Sequence, residues 1–136
     1  MLGFQVYDAR LWTAPGFSAD DYAAHAFALE LAYLRDFDGE DIAKRSLKEM
    51  RGIGAFSAEQ GARWLARMKE LFPDVKKGDR LTGLYQPGAG VSFLHNDRPA
   101  GEVRDADFAR LFMGIWLSPR TSEPAMRDRL LAGAAP

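Results

Sequence analysis

The sequence contains no cysteine. Disulfide bonds, thiolate metal ligands and a cysteine nucleophile are therefore excluded, while the redox compartment is left open. Histidine is scarce: there are two, His25 and His95, and no H-x-x-x-H pair, which argues against a zinc site. No charge of one sign dominates, since 18 basic and 19 acidic side chains leave a formal charge of −1. A nucleic-acid-binding protein would show a basic footprint, and a surface drawn to anionic lipid would show excess positive charge. The longest apolar run, residues 111–117, falls far short of the roughly 20 residues needed to span a bilayer. An integral membrane protein is not expected. The phosphate-binding P-loop and the G-x-S-x-G elbow of hydrolases are missing as well.

What is present suits one domain with a real core. The chain has 136 residues, of which 47% are apolar and 27% charged. Leu2, Phe4 and Val6 alternate with Tyr7, Ala9 and Leu11 on the other face, so a strand is expected over residues 2–12. A chain that opens in mid-sheet suggests that an upstream strand or signal segment has been trimmed, or that the start was assigned too late. Residues 1–8 show neither a basic n-region nor an apolar h-region.

Ala14-Pro15-Gly16 ends the first strand, and residues 18–25 read as a polar loop with a short helical turn. A second strand, residues 27–35, places Phe27, Leu29, Leu31, Tyr33 and Arg35 on one face. A helix follows over residues 40–51, with an apolar stripe of Ile42, Ser46 and Met50 beside Ala43 and Leu47. Ser57-Ala58-Glu59-Gln60 is a capping box that opens a helix reaching Phe72, with Leu65, Met68, Leu71 and Phe72 inward and Trp64 beside them. Residues 80–86 and 91–95 flank Pro87-Gly88-Ala89-Gly90 as a hairpin, and residues 99–103 read as a short edge strand. Helix three is expected over residues 107–116, with Phe108, Leu111, Phe112 and Ile115 on one face. Pro119 stops it, and Thr121 or Ser122 caps a last helix anchored by Met126, Leu130 and Leu131. Strands and helices thus come in blocks, which is the pattern of an α+β domain with helices layered on an antiparallel sheet.

Few residues point to chemistry. Gly88-Ala89-Gly90 lies between strands and is a hairpin turn, not a phosphate loop. His95 reads as the last side chain of a strand. Asp36, Asp38, Glu40 and Asp41 gather at a helix start, where they complement the dipole; a cation site is the rival reading. Lys44 and Lys48 share one helix face. Spacing favours a solvated face with partners such as Glu40 over a pair of cations aimed at an anion. Arg35 ends an apolar face beside Tyr33. It suits a carboxylate or phenolate whose apolar part lies on that face, and it equally suits pairing with Asp36 or Asp38.

The stretches GFQVYDARLW, LELAYLRDFDGEDIAKRSLKEMR and GVSFLHNDRPAGEVRDADFARLFMGIWLSPRTSEPAMRDRLL resemble the bacterial chalcone isomerase-like family over nearly the whole chain. The resemblance rests on Y-D-A-x-L in the first strand combined with F-x-G-I-W-L-x-P-x-T-S before the last helix. It implies an open-faced β-sandwich, an antiparallel sheet covered by helices, with ligand held between the layers. Phe112, Ile115 and Trp116 would form core and pocket wall, and residues 120–122 the pocket mouth. The catalytic equipment of the isomerases is poorly matched. Their arginine would lie upstream of residue 2, their strand threonine falls near Tyr7, and their helix tyrosine near Asp41. Their lysine and asparagine align with Lys44 and Lys48, and Thr121 or Ser122 stands for the last pocket hydroxyl.

The expectation is a non-catalytic domain that binds a small apolar anion such as a fatty acid, without a cofactor. Tyr7, Tyr33 and Arg35 are the contact candidates, with Lys44, Lys48 and Thr121 behind them. The rivals are an intramolecular lyase that closes a chalcone-like enone and an interaction module whose pocket is filled. Bacterial members often carry export signals, so a trimmed signal would imply the periplasm, and otherwise the cytoplasm is expected.

Overall fold

Alternating side chains build the sheet. In the computed structural model, which describes residues 6–133, strands β1 (Tyr7–Thr13), β2 (Phe27–Tyr33), β3 (Arg80–Gln86), β4 (Gly90–His95) and β5 (Arg98–Val103) pair in sequence order, all antiparallel. Leu11 sits opposite Leu29, and Leu29 opposite Gly83, so the inward positions of three strands fall in one row. Leu31, Tyr33, Leu81, Val91 and Phe93 share that buried face. The opposite face carries Arg10, Glu30 and Thr82 and stays open, with Trp12 and Leu84 more than a third exposed. A sheet packed on one side reads as strict alternation, which is why the strands were legible.

Helices α1 (Gly39–Ile53), α2 (Ala58–Leu71), α3 (Ala106–Leu117) and α4 (Pro124–Ala132) cover the apolar face, and a 3-10 helix (Ala19–Ala24) follows β1. The α3 helix packs on β4 and under α1, α2 packs on β5, and α4 lies along β1. Sandwiched in this way, α3 is buried nearly all round: Phe108, Ala109, Met113 and Leu117 are fully enclosed. Close approach requires Gly114. A Cβ there would stand 2.6 Å from Ile53 Cγ2 and 2.7 Å from the Tyr22 hydroxyl oxygen. The chain is thus an α+β open-faced β-sandwich.

Several boundaries differ from the sequence reading. The first strand runs from Tyr7 to Thr13, and the expected positions 2–5 lie outside the described residues. The second strand stops at Tyr33, where the ladder gives way to a loop: the Tyr33 N–H donates to the Asp79 carbonyl, and the Tyr33 carbonyl accepts from Gly78. Arg35 therefore lies beyond the strand and is exposed. The α1 helix continues past Gly52 to bury Ile53. No side chain of its own caps it; Asp74 Oδ1 accepts the Gly39 N–H at 2.8 Å from across the fold. In α2, Trp64 is core and Leu65 is half-buried, because the Trp64 indole N–H finds Asp105 Oδ2 at 3.0 Å. The capping box of Ser57 and Gln60 forms as expected. Neither Thr121 nor Ser122 is the N-cap of α4. Glu123 holds that position with Pro124 following, and Thr121 instead accepts the Glu123 N–H from two residues upstream.

Candidate functional site

Between the sheet and the helices lies a cavity of about 990 Å³. Leu29, Leu31, Leu81 and Phe93 form its floor, and Phe112, Met113, Ile115 and Trp116 of α3 its roof. At Gly83 the floor has no side chain, and the Met113 methyl occupies the space; a Cβ at that position would come within 2.8 Å of Met113 Cε. The α1 wall is contributed by Ile42, Arg45, Ser46 and Glu49. Their spacing of i, i+3, i+4 and i+7 is one face of a helix. The mouth lies where α1 meets the loop between α3 and α4, and Ser122, Glu123, Met126 and Arg129 edge it.

Two phenols supply polar groups within this apolar space. Tyr7 and Tyr33 are cross-strand partners whose rings meet edge-on at 5.5 Å. The Tyr7 hydroxyl accepts the Trp116 indole N–H at 2.8 Å, so its own proton remains available to donate. The Tyr33 ring is buried and lines the cavity, yet its hydroxyl has no hydrogen-bond partner among the described residues. Burial pushes the Tyr7 phenol up, against the Trp116 hydrogen bond and the Arg45 charge, which pull it down. Burial also pushes Tyr33 up, and the neighbouring Tyr7 adds in the same direction. Both phenols therefore stay neutral at physiological pH and act as hydrogen-bond donors, not as bases.

The mouth balances charge. Among the described lining residues are Arg35, Arg45 and Arg129 and also Asp41, Glu49 and Glu123. Arg45 Nε donates to Glu49 Oε2 at 3.3 Å, and Ser122 Oγ donates to Glu49 Oε1 at 2.5 Å. The Arg35 guanidinium lies 5.6 Å from the centre of the Phe37 ring. Thr121 is buried, and its hydroxyl donates to the Ile115 carbonyl at 2.6 Å, which fixes the loop.

Of the six residues singled out from the sequence, Tyr7, Tyr33, Arg35 and Thr121 line the cavity. The proton of Thr121 is already committed to the backbone. Lys44 and Lys48 do not line it and need correcting. They lie on the exposed side of α1, and Lys44 Nζ stands 3.0 Å from Glu40 Oε1. The basic residue of α1 that borders the cavity is Arg45, whose side chain stays largely exposed at the rim. The signal that would have identified it is the ladder of Ile42, Arg45, Ser46 and Glu49. Elsewhere, His95 Nε2 lies 3.2 Å from Asp79 Oδ2 at the far end of the sheet, and Asp36 Oδ1 accepts the Lys77 N–H. Among the described residues no group of three histidine or carboxylate side chains is placed to hold a metal ion.

The fold has a solved counterpart: a fatty-acid binding protein of Arabidopsis thaliana superposes with a TM-score of 0.72 at 11% identity, covering 96% of this chain and 80% of that one. In sequence, an uncharacterized protein of Haemophilus influenzae is 27% identical over 128 residues, 94% of this chain. The chain spans only 61% of that relative's length. Residues 2–132 match the family described as chalcone isomerase-like, and the chain belongs to that family.

Proposed function

We propose that the cavity binds a single-tailed amphiphile with an anionic head, such as a fatty acid, and performs no chemistry on it. The observation that carries this reading is the open Tyr33 hydroxyl in a chamber with an apolar floor and roof and a charged rim. The hydroxyl opens onto the cavity with its proton uncommitted among the described residues, and an oxygen of a ligand head group would accept it. The tail supplies most of the affinity, at about 0.8 kcal/mol for each buried methylene, and the phenols and mouth arginines set the orientation. The Arabidopsis protein of like fold is named for fatty-acid binding, which supports the same class of ligand.

Protein purified without added lipid is denatured, extracted and examined by mass spectrometry, and a delipidated sample is titrated with dodecanoate. Stoichiometric lipid, or saturable binding with a dissociation constant near or below about 1 μM, is expected. Absence of both overturns the reading. Ring closure of a chalcone, followed by absorbance, would overturn its non-catalytic part.

A further inference from the structure

We infer that Glu49 is a built-in surrogate for the ligand's carboxylate, so that an acid must displace it while a neutral head group need not. This inference rests on the cavity being an amphiphile site. Glu49 lines the cavity with its side chain only 19% exposed. Both of its oxygens are engaged, one by Ser122 Oγ and the other by Arg45 Nε. Those two donors sit on opposite sides of the mouth, Arg45 on α1 and Ser122 on the loop from α3 to α4. The loop cannot drift far, because Thr121 is tied to the Ile115 carbonyl and to the Glu123 N–H. Glu49 therefore occupies two donors that an incoming carboxylate would use.

Charge bookkeeping around the lining points the same way. Among the described lining residues three arginines, Arg35, Arg45 and Arg129, stand with three carboxylates, Asp41, Glu49 and Glu123. A ligand carboxylate adds a fourth negative charge to a balanced rim, and the nearest like charge in a half-buried site opposes it. A hydroxyl head group meets no such opposition and can bond Tyr7 or Tyr33 directly. An acid thus binds with Glu49 displaced from Arg45 and Ser122, and that displacement sets how far its affinity falls below what the two donors could give. Arg45, one turn before Glu49 on the same helix, is the cation whose availability Glu49 controls.

The test uses two probes with the same tail, dodecanoate and dodecanol, titrated calorimetrically into delipidated protein. Glu49→Gln keeps the shape and a carbonyl acceptor for Ser122 while removing the charge. It is expected to bind dodecanoate about tenfold more tightly and dodecanol with unchanged affinity. Ser122→Ala removes one of the two contested donors and leaves the Glu49 charge in place, so the acid should bind no more tightly than it does to the parent; a gain like that of Glu49→Gln would overturn the surrogate role. Adding Arg45→Met to Glu49→Gln should cancel the gain. If Glu49→Gln leaves the acid unchanged, weakens it, or tightens both probes equally, the surrogate role is overturned and the cavity reading stands. If neither probe binds the parent protein or any variant, both fall.

Discussion

The Trp116 indole reaches across the gap between helix and sheet to donate its N–H to the Tyr7 hydroxyl at 2.8 Å, joining residues 109 positions apart. The bond ties the cavity roof to the edge strand. It also turns the Tyr7 hydroxyl so that its one proton can serve a ligand. Trp116→Phe keeps the ring that packs on Phe112 at 5.3 Å and removes the donor. Urea unfolding should show a loss of about 1–2 kcal/mol, reflecting the bond and the smaller ring together. In a double-mutant cycle with Tyr7→Phe, a coupling of about 0.5–1.5 kcal/mol is expected; additive losses would mean that the bond contributes nothing.

Tyr33 should behave in the opposite way. Its hydroxyl bonds to no described residue, so Tyr33→Phe removes nothing that holds the fold together. Stability should stay within about 0.5 kcal/mol of the parent or rise slightly. Affinity for dodecanoate should fall by about five- to tenfold as the ligand loses a donor. A variant that loses stability and binds normally would assign the hydroxyl to the core, not to the site.

At the far end of the sheet, Asp79 anchors the turn that precedes β3. The Lys76 N–H, the Asn96 side-chain amide and His95 hold its carboxyl at about 2, below the usual 3.8. A depressed carboxylate contributes stability that is present above the unfolded value and is lost as pH falls through the folded one. The loss from this group therefore begins near 3.8 and is complete below about 2. Asp79→Asn should flatten the acid limb of a thermal-midpoint profile within that window and leave the slope above it unchanged. A parallel profile in both proteins would remove Asp79 from the acid response.

The fold was legible wherever one periodicity governed an element. In β2, Phe27, Leu29, Leu31 and Tyr33 alternate cleanly because one face is packed and the other is open. The Ser57–Gln60 box announced α2 because its hydrogen bonds are local. What could not be read depends on partners remote in sequence. The N-terminus of α1 is capped by Asp74, which lies 35 residues away. The loop hydroxyl of Thr121 looked like a helix cap and is spent on Ile115. On α1, three exposed basic residues stand close together, and only the rotation of the helix over the sheet decides that Arg45 borders the cavity while Lys44 and Lys48 do not. Tyr33 was singled out by strand alternation and Tyr7 by the family resemblance, and both line the cavity.

Cavity and core can be separated on one helix. Ile115 is half-buried and lines the cavity, whereas Leu117, two residues on, is fully enclosed. Ile115→Trp projects its added volume into empty space, so the overpacking cost of about 1–3 kcal/mol should not appear. Leu117→Trp meets closely packed neighbours and should incur at least that cost. Thermal unfolding should then rank Ile115→Trp level with the parent and Leu117→Trp well below it. Binding gives the second readout: Ile115→Trp shortens the space available to a tail, so its capacity for dodecanoate should collapse while its melting transition stays cooperative. Full binding by Ile115→Trp would mean that the tail does not occupy the space beneath α3, and the head-to-tail orientation drawn from Tyr7 and Tyr33 would have to be reversed.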